Sequence, residues 1–294
     1  MHTVQNIFDR YQSIRSRLPS ATFPQHTKSI NSLMDISEQA DAFVFDAFGV
    51  LNVGDTPIPG AAERLHALRA HGCAIRVLSN AASQKHDDVV EKFRKLGIKL
   101  AKNEIITSRD AALTSLDERI WGCIVCSSDD LSDIPHETLR LGENRQLYAE
   151  AEGFLFLSSK DWSPTQQVLL QSALINNPRP VVIANADLAA PRERGFTLEP
   201  GHFGQLLVEQ TCCNIRFFGK PFSEVYALAE SSLEGISADR IIMIGDTLHT
   251  DILGSAARGW RNVLVTEDGM FAGHNIQKFC RVSGINPHWC SKRI

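Results

Sequence analysis

Apolar runs that end in a polar residue alternate along most of this chain with amphipathic stretches closed by glycine. The first run, Ala42-Phe43-Val44-Phe45, stops at Asp46, as a buried parallel strand does when it carries a residue to its carboxyl end. Beyond Pro59-Gly60, the stretch AAERLHALRAHG sets Ala61, Leu65 and Leu68 on one face and ends at Gly72, which predicts a crossover helix. CAIRVLSNAAS predicts the next strand, and SQKHDDVVEKFRKLG the next helix, closed by Gly97. Alternation of this kind winds a parallel α/β sheet.

Residues 1–38 read as a helical leader, with Ile7, Tyr11, Ile14 and Leu18 at helical spacing and a second short helix near SINSLMDISEQ, expected to cover part of the body. From 108 to 213, short β-like runs (GCIVC, GFLFLSS, PVVIANAD) mixed with the helical SPTQQVLLQSALIN predict a separate inserted α/β lobe. The core winding is expected to resume with IRFFGKP. It then runs through the helix SEVYALAESSL, the strand RIIMIGD, the helix around TDILGSAARG and a final strand NVLVTEDG. The expected organisation is thus a leader (1–38), a core in two pieces (39–107 and 214–294) and an insertion (108–213).

Composition narrows the partners. A chain of 294 residues exceeds the usual single-core size and leaves room for a cleft between lobes. With a net charge of -4 and no basic run, neither nucleic acid nor a membrane surface is an expected partner, and a small molecule is. No apolar stretch reaches membrane-span length, and the N-terminal segment is charged where a signal peptide would be apolar, so a cytoplasmic location is expected. The seven cysteines lack the paired spacing of a zinc site and are expected to be reduced structural thiols.

Four residues at or near the ends of apolar runs carry candidate chemistry: Asp46, Ser79, Lys220 and Asp246. In open parallel sheets ligands bind beyond the carboxyl ends of the strands. Taken singly, each has a plain structural role, as a cap or a surface charge. Together they supply a carboxylate nucleophile, a hydroxyl donor, a cation and a metal-binding carboxylate, the inventory of phosphoryl transfer.

The segments FDAFGVL with Asp46, VLSNAAS with Ser79, FFGKPFSEV with Lys220, and IGDTLHTDILGSAARG with Asp246 and Asp251 resemble, in order, the four signature motifs of the haloacid-dehalogenase-like (HAD-like) hydrolase superfamily. PIPGAAERL, the long insertion and the GKP form of the third motif resemble the type IIA branch, the NagD-like and p-nitrophenyl-phosphatase-like proteins. The resemblance covers about 250 residues and implies a doubly wound, Rossmann-like parallel-sheet core with an α/β C2-type cap. It also implies a Mg²⁺-dependent phosphatase acting on a small phosphorylated metabolite, and a homodimer, since relatives often dimerise. Carried onto this sequence, Asp46 is the expected nucleophile and forms an aspartyl-phosphate; Ser79 hydrogen-bonds the phosphoryl group; Lys220 neutralises charge and orients Asp46. Mg²⁺ is expected on Asp46, the backbone carbonyl of Phe48 and Asp246, with Asp251 in support. Asn80 is assigned to substrate binding. The cap loop IANADLAAPRERGF is expected to face the site and to place Asn185, Asp187, Arg192 and Arg194 for substrate selection, with Ala186 standing where the branch commonly has proline.

One position departs from the phosphatase pattern. Two residues after the nucleophile, where relatives carry the Asp that protonates the leaving group, this chain has Phe48. General acid/base help is typically worth ~10²–10⁴-fold, so slow turnover of unactivated esters is expected, with aryl or acyl phosphates favoured. Asp55 and His249 are the nearest candidates in sequence for a substitute acid. Two other readings stay open: a catalytically weak binding or regulatory protein, and a metal-free 2-haloacid dehalogenase, whose first motif FDAFGVLN resembles. The acidic pair in GDTLHTD favours a cation over a carboxylate substrate and so disfavours dehalogenation.

Overall fold

The computed structural model describes residues 3–192 and 195–294, apart from the side chain of Arg192. The first part of the chain forms α1 (Val4–Ser13), β1 (Lys28–Ser29), β2 (Ala42–Phe45), α2 (Ala61–Ala70), β3 (Ala74–Ser79), α3 (His86–Lys95), β4 (Ile105–Thr107) and α4 (Ser108–Leu113). The middle forms β5 (Trp121–Ile124), β6 (Thr138–Arg140), α5 (Arg145–Glu150), β7 (Gly153–Phe156), α6 (Pro164–Asn176), β8 (Val181–Ile183), the β9–β10 hairpin (Ala189–Arg192 and Gly195–Leu198), α7 (Pro200–Gln210) and β11 (Ile215–Phe217). The chain closes with α8 (Ser223–Ser231), β12 (Ile241–Gly245), α9 (Leu253–Ala257), β13 (Arg261–Val265), α10 (Ile276–Ser283) and β14 (Trp289–Ser291).

Two parallel sheets result. The core sheet runs β1-β14-β13-β12-β2-β3-β4 and the cap sheet β11-β8-β7-β5-β6. The parallel α/β core and inserted α/β lobe expected from the pattern, and the doubly wound, capped arrangement that the resemblance implies, are present. Every residue of β2 is buried because both faces of the sheet are covered. One face packs Phe43, Phe45 and Val77 against Leu65, Leu68 and Phe93. The other packs Val44, Leu78 and Met243 in a single apolar cluster with Trp121, Leu155 and Val182 of the cap. That shared cluster seats the cap on the core.

Three sequence expectations are corrected. Ile215–Phe217, expected to resume the core, pairs instead with Val181–Ile183 as the edge of the cap sheet, so the core winding returns only beyond Phe217. The physical reason is that an apolar strand carries no label for its sheet, and the nearest open edge here was β8. Next, α4 packs on β4 and α8 of the core, so the insertion starts later than residue 108. The leader, finally, is more than a cover: Lys28–Ser29 pairs with Trp289–Cys290, and both short strands extend the core sheet beyond β13, which was expected to be last. Strands of two or three residues show no periodicity by which sequence reading could find them.

The leader helix α1 has Thr3 as N-cap, its side chain accepting from the Asn6 N–H at 3.2 Å. Its apolar face (Ile7, Phe8, Tyr11) packs on Leu248, Ile252 and Phe279 of the core and also on Leu188 of the cap. Arg10 and Arg17 reach Glu209 on α7, at 2.9 and 3.2 Å. Among the described residues, no helix is long and apolar enough to cross a membrane. All seven cysteines are free.

Candidate active site

The strands β12, β2 and β3 are neighbours and parallel, so their last residues emerge side by side on one edge. Asp46 follows β2 directly, Ser79 ends β3 and Asp246 follows β12. Lys220, three residues past β11, reaches the same edge: its Nζ lies 2.5 Å from Asp46 Oδ1 and 2.7 Å from Asp251 Oδ1. The other oxygen of Asp251 accepts from the N–H groups of Asp246 (3.1 Å) and Thr247 (3.0 Å), which fixes the turn after β12. Asp246 is held in turn by the Met270 N–H on Oδ2 (2.7 Å) and the Thr247 hydroxyl on Oδ1 (2.9 Å). Among the described residues, Ser79 Oγ accepts only from the Ala81 N–H, at 3.2 Å, which leaves its hydroxyl proton for a ligand oxygen.

The backbone around Asp246 requires glycine. Gly49 has φ +78, and a Cβ there would stand 2.6 Å from Asp246 Oδ2. The loop after β2 can therefore close on the β12 carboxylate only because position 49 has no side chain.

Ligand oxygens of Asp46, Asp246 and Asp251 all lie within 4.8 Å of one another. Burial pushes the Asp46 carboxyl up to about 6, with Lys220 pulling it down and Asp251 pushing it up. Asp246 is raised well above the carboxylate range by burial and then by Asp46 and Asp251. Lys220 loses to burial but gains more from Asp251, Asp46 and Asp187, and ends above its ordinary value. One ammonium thus faces a surplus of buried carboxylates. An oxygen-only set with excess negative charge suits a hard divalent cation, whose charge would restore the carboxylate forms.

The cleft over this rim measures about 780 Å³ and is lined by Asp46, Phe48, Ser79 and Asn80 from the core and by Ser158, Lys160, Asn185, Asp187 and Glu199 from the cap. The cap loop does descend on the site. Asp187 Oδ1 accepts from Asn80 Nδ2 at 2.8 Å, and the Asp187 N–H donates to Asn185 Oδ1 at 2.9 Å. Asn80 is fully engaged: its amide also donates to the Lys220 carbonyl (2.9 Å), and its Oδ1 accepts from the Lys220 N–H (2.6 Å). It braces the third motif against the cap loop. Arg194 and the side chain of Arg192 lie outside the described residues.

Neither substitute acid suggested by sequence proximity faces the cleft. Asp55 is exposed at a loop tip and absent from the cleft wall. His249 is wholly buried, stacked on Tyr11 (ring centroids 4.9 Å apart) and bonded through Nε2 to Gln12 at 2.9 Å. Burial, helped by Arg15, pushes it down to about 3, so it is a neutral packing residue under the leader. Sequence reading missed two residues that shape the site. Tyr11 accepts from the Leu188 N–H at 3.1 Å, and Gly201 allows α7 to abut the loop, because a Cβ there would stand 2.2 Å from the Ala186 carbonyl oxygen. Gly201 directly after Pro200 at a helix start was the available signal; Tyr11 showed only as one of a helical apolar stripe.

Fold and rim together define a capped parallel α/β protein with a carboxylate cluster at the switch point of its sheet. Residues 43–137 match the haloacid dehalogenase-like hydrolase model, and residues 217–289 match a second, HAD-hydrolase-like model; the two span more than half of the chain. The chain belongs to the haloacid dehalogenase-like hydrolases. It is similar to haloacid dehalogenase-like hydrolase domain-containing protein 2 of Bos taurus, 24% identical over 225 residues, covering 76% of this chain and 83% of that one. Among solved structures it is similar to p-nitrophenyl phosphatase from Archaeoglobus fulgidus (TM-score 0.73, 20% identity, 87% of this chain and 97% of that one). It is also similar to glycerol phosphate phosphatase from Mycobacterium tuberculosis in complex with magnesium (TM-score 0.63, 21% identity, 86% and 78%).

Proposed function

We propose that this protein is a Mg²⁺-dependent phosphatase that hydrolyses a small phosphomonoester through an aspartyl-phosphate on Asp46. The observation that carries the reading is the approach of the Asp46, Asp246 and Asp251 oxygens to within 4.8 Å around the Lys220 ammonium. Similarity to solved proteins named as phosphatases, one of them holding magnesium, supports it. Asp46, Asp246 and the Phe48 carbonyl would hold the cation, with Asp251 supporting both it and Lys220. When bound, a divalent cation neutralises phosphoryl oxygens and orients the ester.

The chain's own groups do the rest. Lys220 turns one Asp46 oxygen toward itself, leaving the other to attack phosphorus, and its charge offsets that developing on the phosphoryl oxygens. The Ser79 hydroxyl donates to a phosphoryl oxygen. The acyl phosphate formed on Asp46 splits the reaction into two easier steps, and the cap excludes water until the leaving group departs.

Purified protein assayed on p-nitrophenyl phosphate tests the reading. Turnover should require Mg²⁺, disappear with a chelator, and fall on the order of 10⁴-fold or more in Asp46→Asn. Equal background rates in wild type and variant would instead identify a ligand-binding protein that keeps the rim without the chemistry.

A further inference from the structure

Phe48 has no exchangeable proton, yet an unactivated ester must leave with one. Within the cleft, two carboxyls stand on the cap side, Asp187 and Glu199; both Glu199 oxygens already accept, Oε1 from the Thr197 hydroxyl at 2.8 Å and Oε2 from the Asn185 amide at 3.3 Å, which leaves Asp187. We infer that Asp187 is the general acid and base of this site, taking the role that position 48 cannot perform. The inference rests on the phosphatase reading above and extends it.

Contacts from three parts of the chain hold this residue, one through its side chain and the others through the backbone around it. From the core, Asn80 Nδ2 binds Oδ1 at 2.8 Å. From the cap, Asn185 Oδ1 takes the Asp187 N–H at 2.9 Å, and the start of α7 presses on the Ala186–Asp187 backbone through Gly201. From the leader, the Tyr11 hydroxyl takes the next N–H, that of Leu188, at 3.1 Å. So positioned, Asp187 lines the cleft, and among the described residues no donor binds its second oxygen. A proton donor must also be protonated at working pH. Burial raises the Asp187 carboxyl to about 8 against the pull of Lys220 and Asn80, and Asp46 and Asp251 push the same way.

The step balances. As an Asp46 oxygen forms its bond to phosphorus, the bond from phosphorus to the ester oxygen breaks. That electron pair stays on the leaving oxygen, which takes the proton from Asp187 and departs as an alcohol. Asp187, now a carboxylate, then removes a proton from water as the water oxygen attacks phosphorus. The Asp46–phosphate bond breaks, phosphate leaves, and both carboxyl groups return to their starting states.

The test is leaving-group dependence in Asp187→Asn, whose amide oxygen can still accept from Asn80. With Mg²⁺ present, kcat/KM is measured for a series running from p-nitrophenyl to simple alkyl phosphates, because this parameter reports the step in which the leaving group departs. We expect the alkyl-to-aryl ratio of kcat/KM to fall ~10²–10⁴-fold in the variant, and Asp187→Ala to show the same slope. A loss of equal size on every substrate would overturn the assignment and make Asp187 a latch for the cap loop, as would no loss at all. Thermal melts of both variants separate either result from unfolding. Wild-type protein without Mg²⁺-dependent turnover on any ester would overturn the phosphatase reading itself.

Discussion

The two sides of the cleft are built on different principles. On the core side, Asp46, Ser79 and Asp246 sit where their strands end, and the hydrogen-bonded ladder of β12, β2 and β3 sets their spacing. On the cap side, Asn185 and Asp187 sit on a loop whose place depends on a core amide, a leader tyrosine and a helix start pressed close. A ladder positions residues through many repeated bonds and is hard to displace, whereas a loop with a few distant anchors is tuned by each of them. On the proposed reading, the core side carries chemistry common to any phosphoester, and the cap side is where leaving-group handling is adjusted.

Substitutions can break this contrast or sharpen it. Gly49→Ala should strike hardest among the supports, since its Cβ would meet Asp246 Oδ2 at 2.6 Å in a backbone with φ +78. Displacing that carboxylate should lower kcat/KM by about 10²-fold on aryl and alkyl esters alike, and should weaken Mg²⁺ activation measured by titration. A smaller, selective effect is expected from Gly201→Ala, which moves the Asp187 loop and leaves the ladder intact. Alkyl phosphates should lose roughly tenfold while p-nitrophenyl phosphate changes less, part of the range assigned to general acid help. If both substrate classes fell together, the loop would be serving the rim and the contrast would collapse. The mildest is Tyr11→Phe, which removes one acceptor from the Leu188 N–H. It should cost about 1 kcal/mol in a denaturant titration and leave Mg²⁺ activation untouched.

Legibility in the sequence followed the same division. The rim residues were readable because a short apolar run ending in a polar residue is itself the statement that a strand delivers that residue to an edge. The cap was readable as an insertion, but its last strand was assigned to the core, because Ile215, Phe217 and Phe218 would suit either sheet. His249 and Asp55 were singled out by nearness along the chain, and distance in sequence proved a poor guide to distance in space: one is sealed under the leader, the other exposed at a loop tip. Asp187 was named for substrate selection from its loop, but nothing in its neighbours showed that Asn80, more than a hundred residues earlier, would bind it.

Local patterning alone determined the parallel winding, the inserted lobe, and the carboxylates and hydroxyl that the core strands deliver to one edge. Those features arise from alternation and strand polarity, which are properties of short stretches. Tertiary structure alone decided which sheet took β11, that Lys220 would reach the rim from beyond it, that the leader would grip the cap, and that Asp187 would be bound by Asn80. Each of these depends on contacts between segments far apart in the chain, where burial and hydrogen bonding are set by what folds alongside.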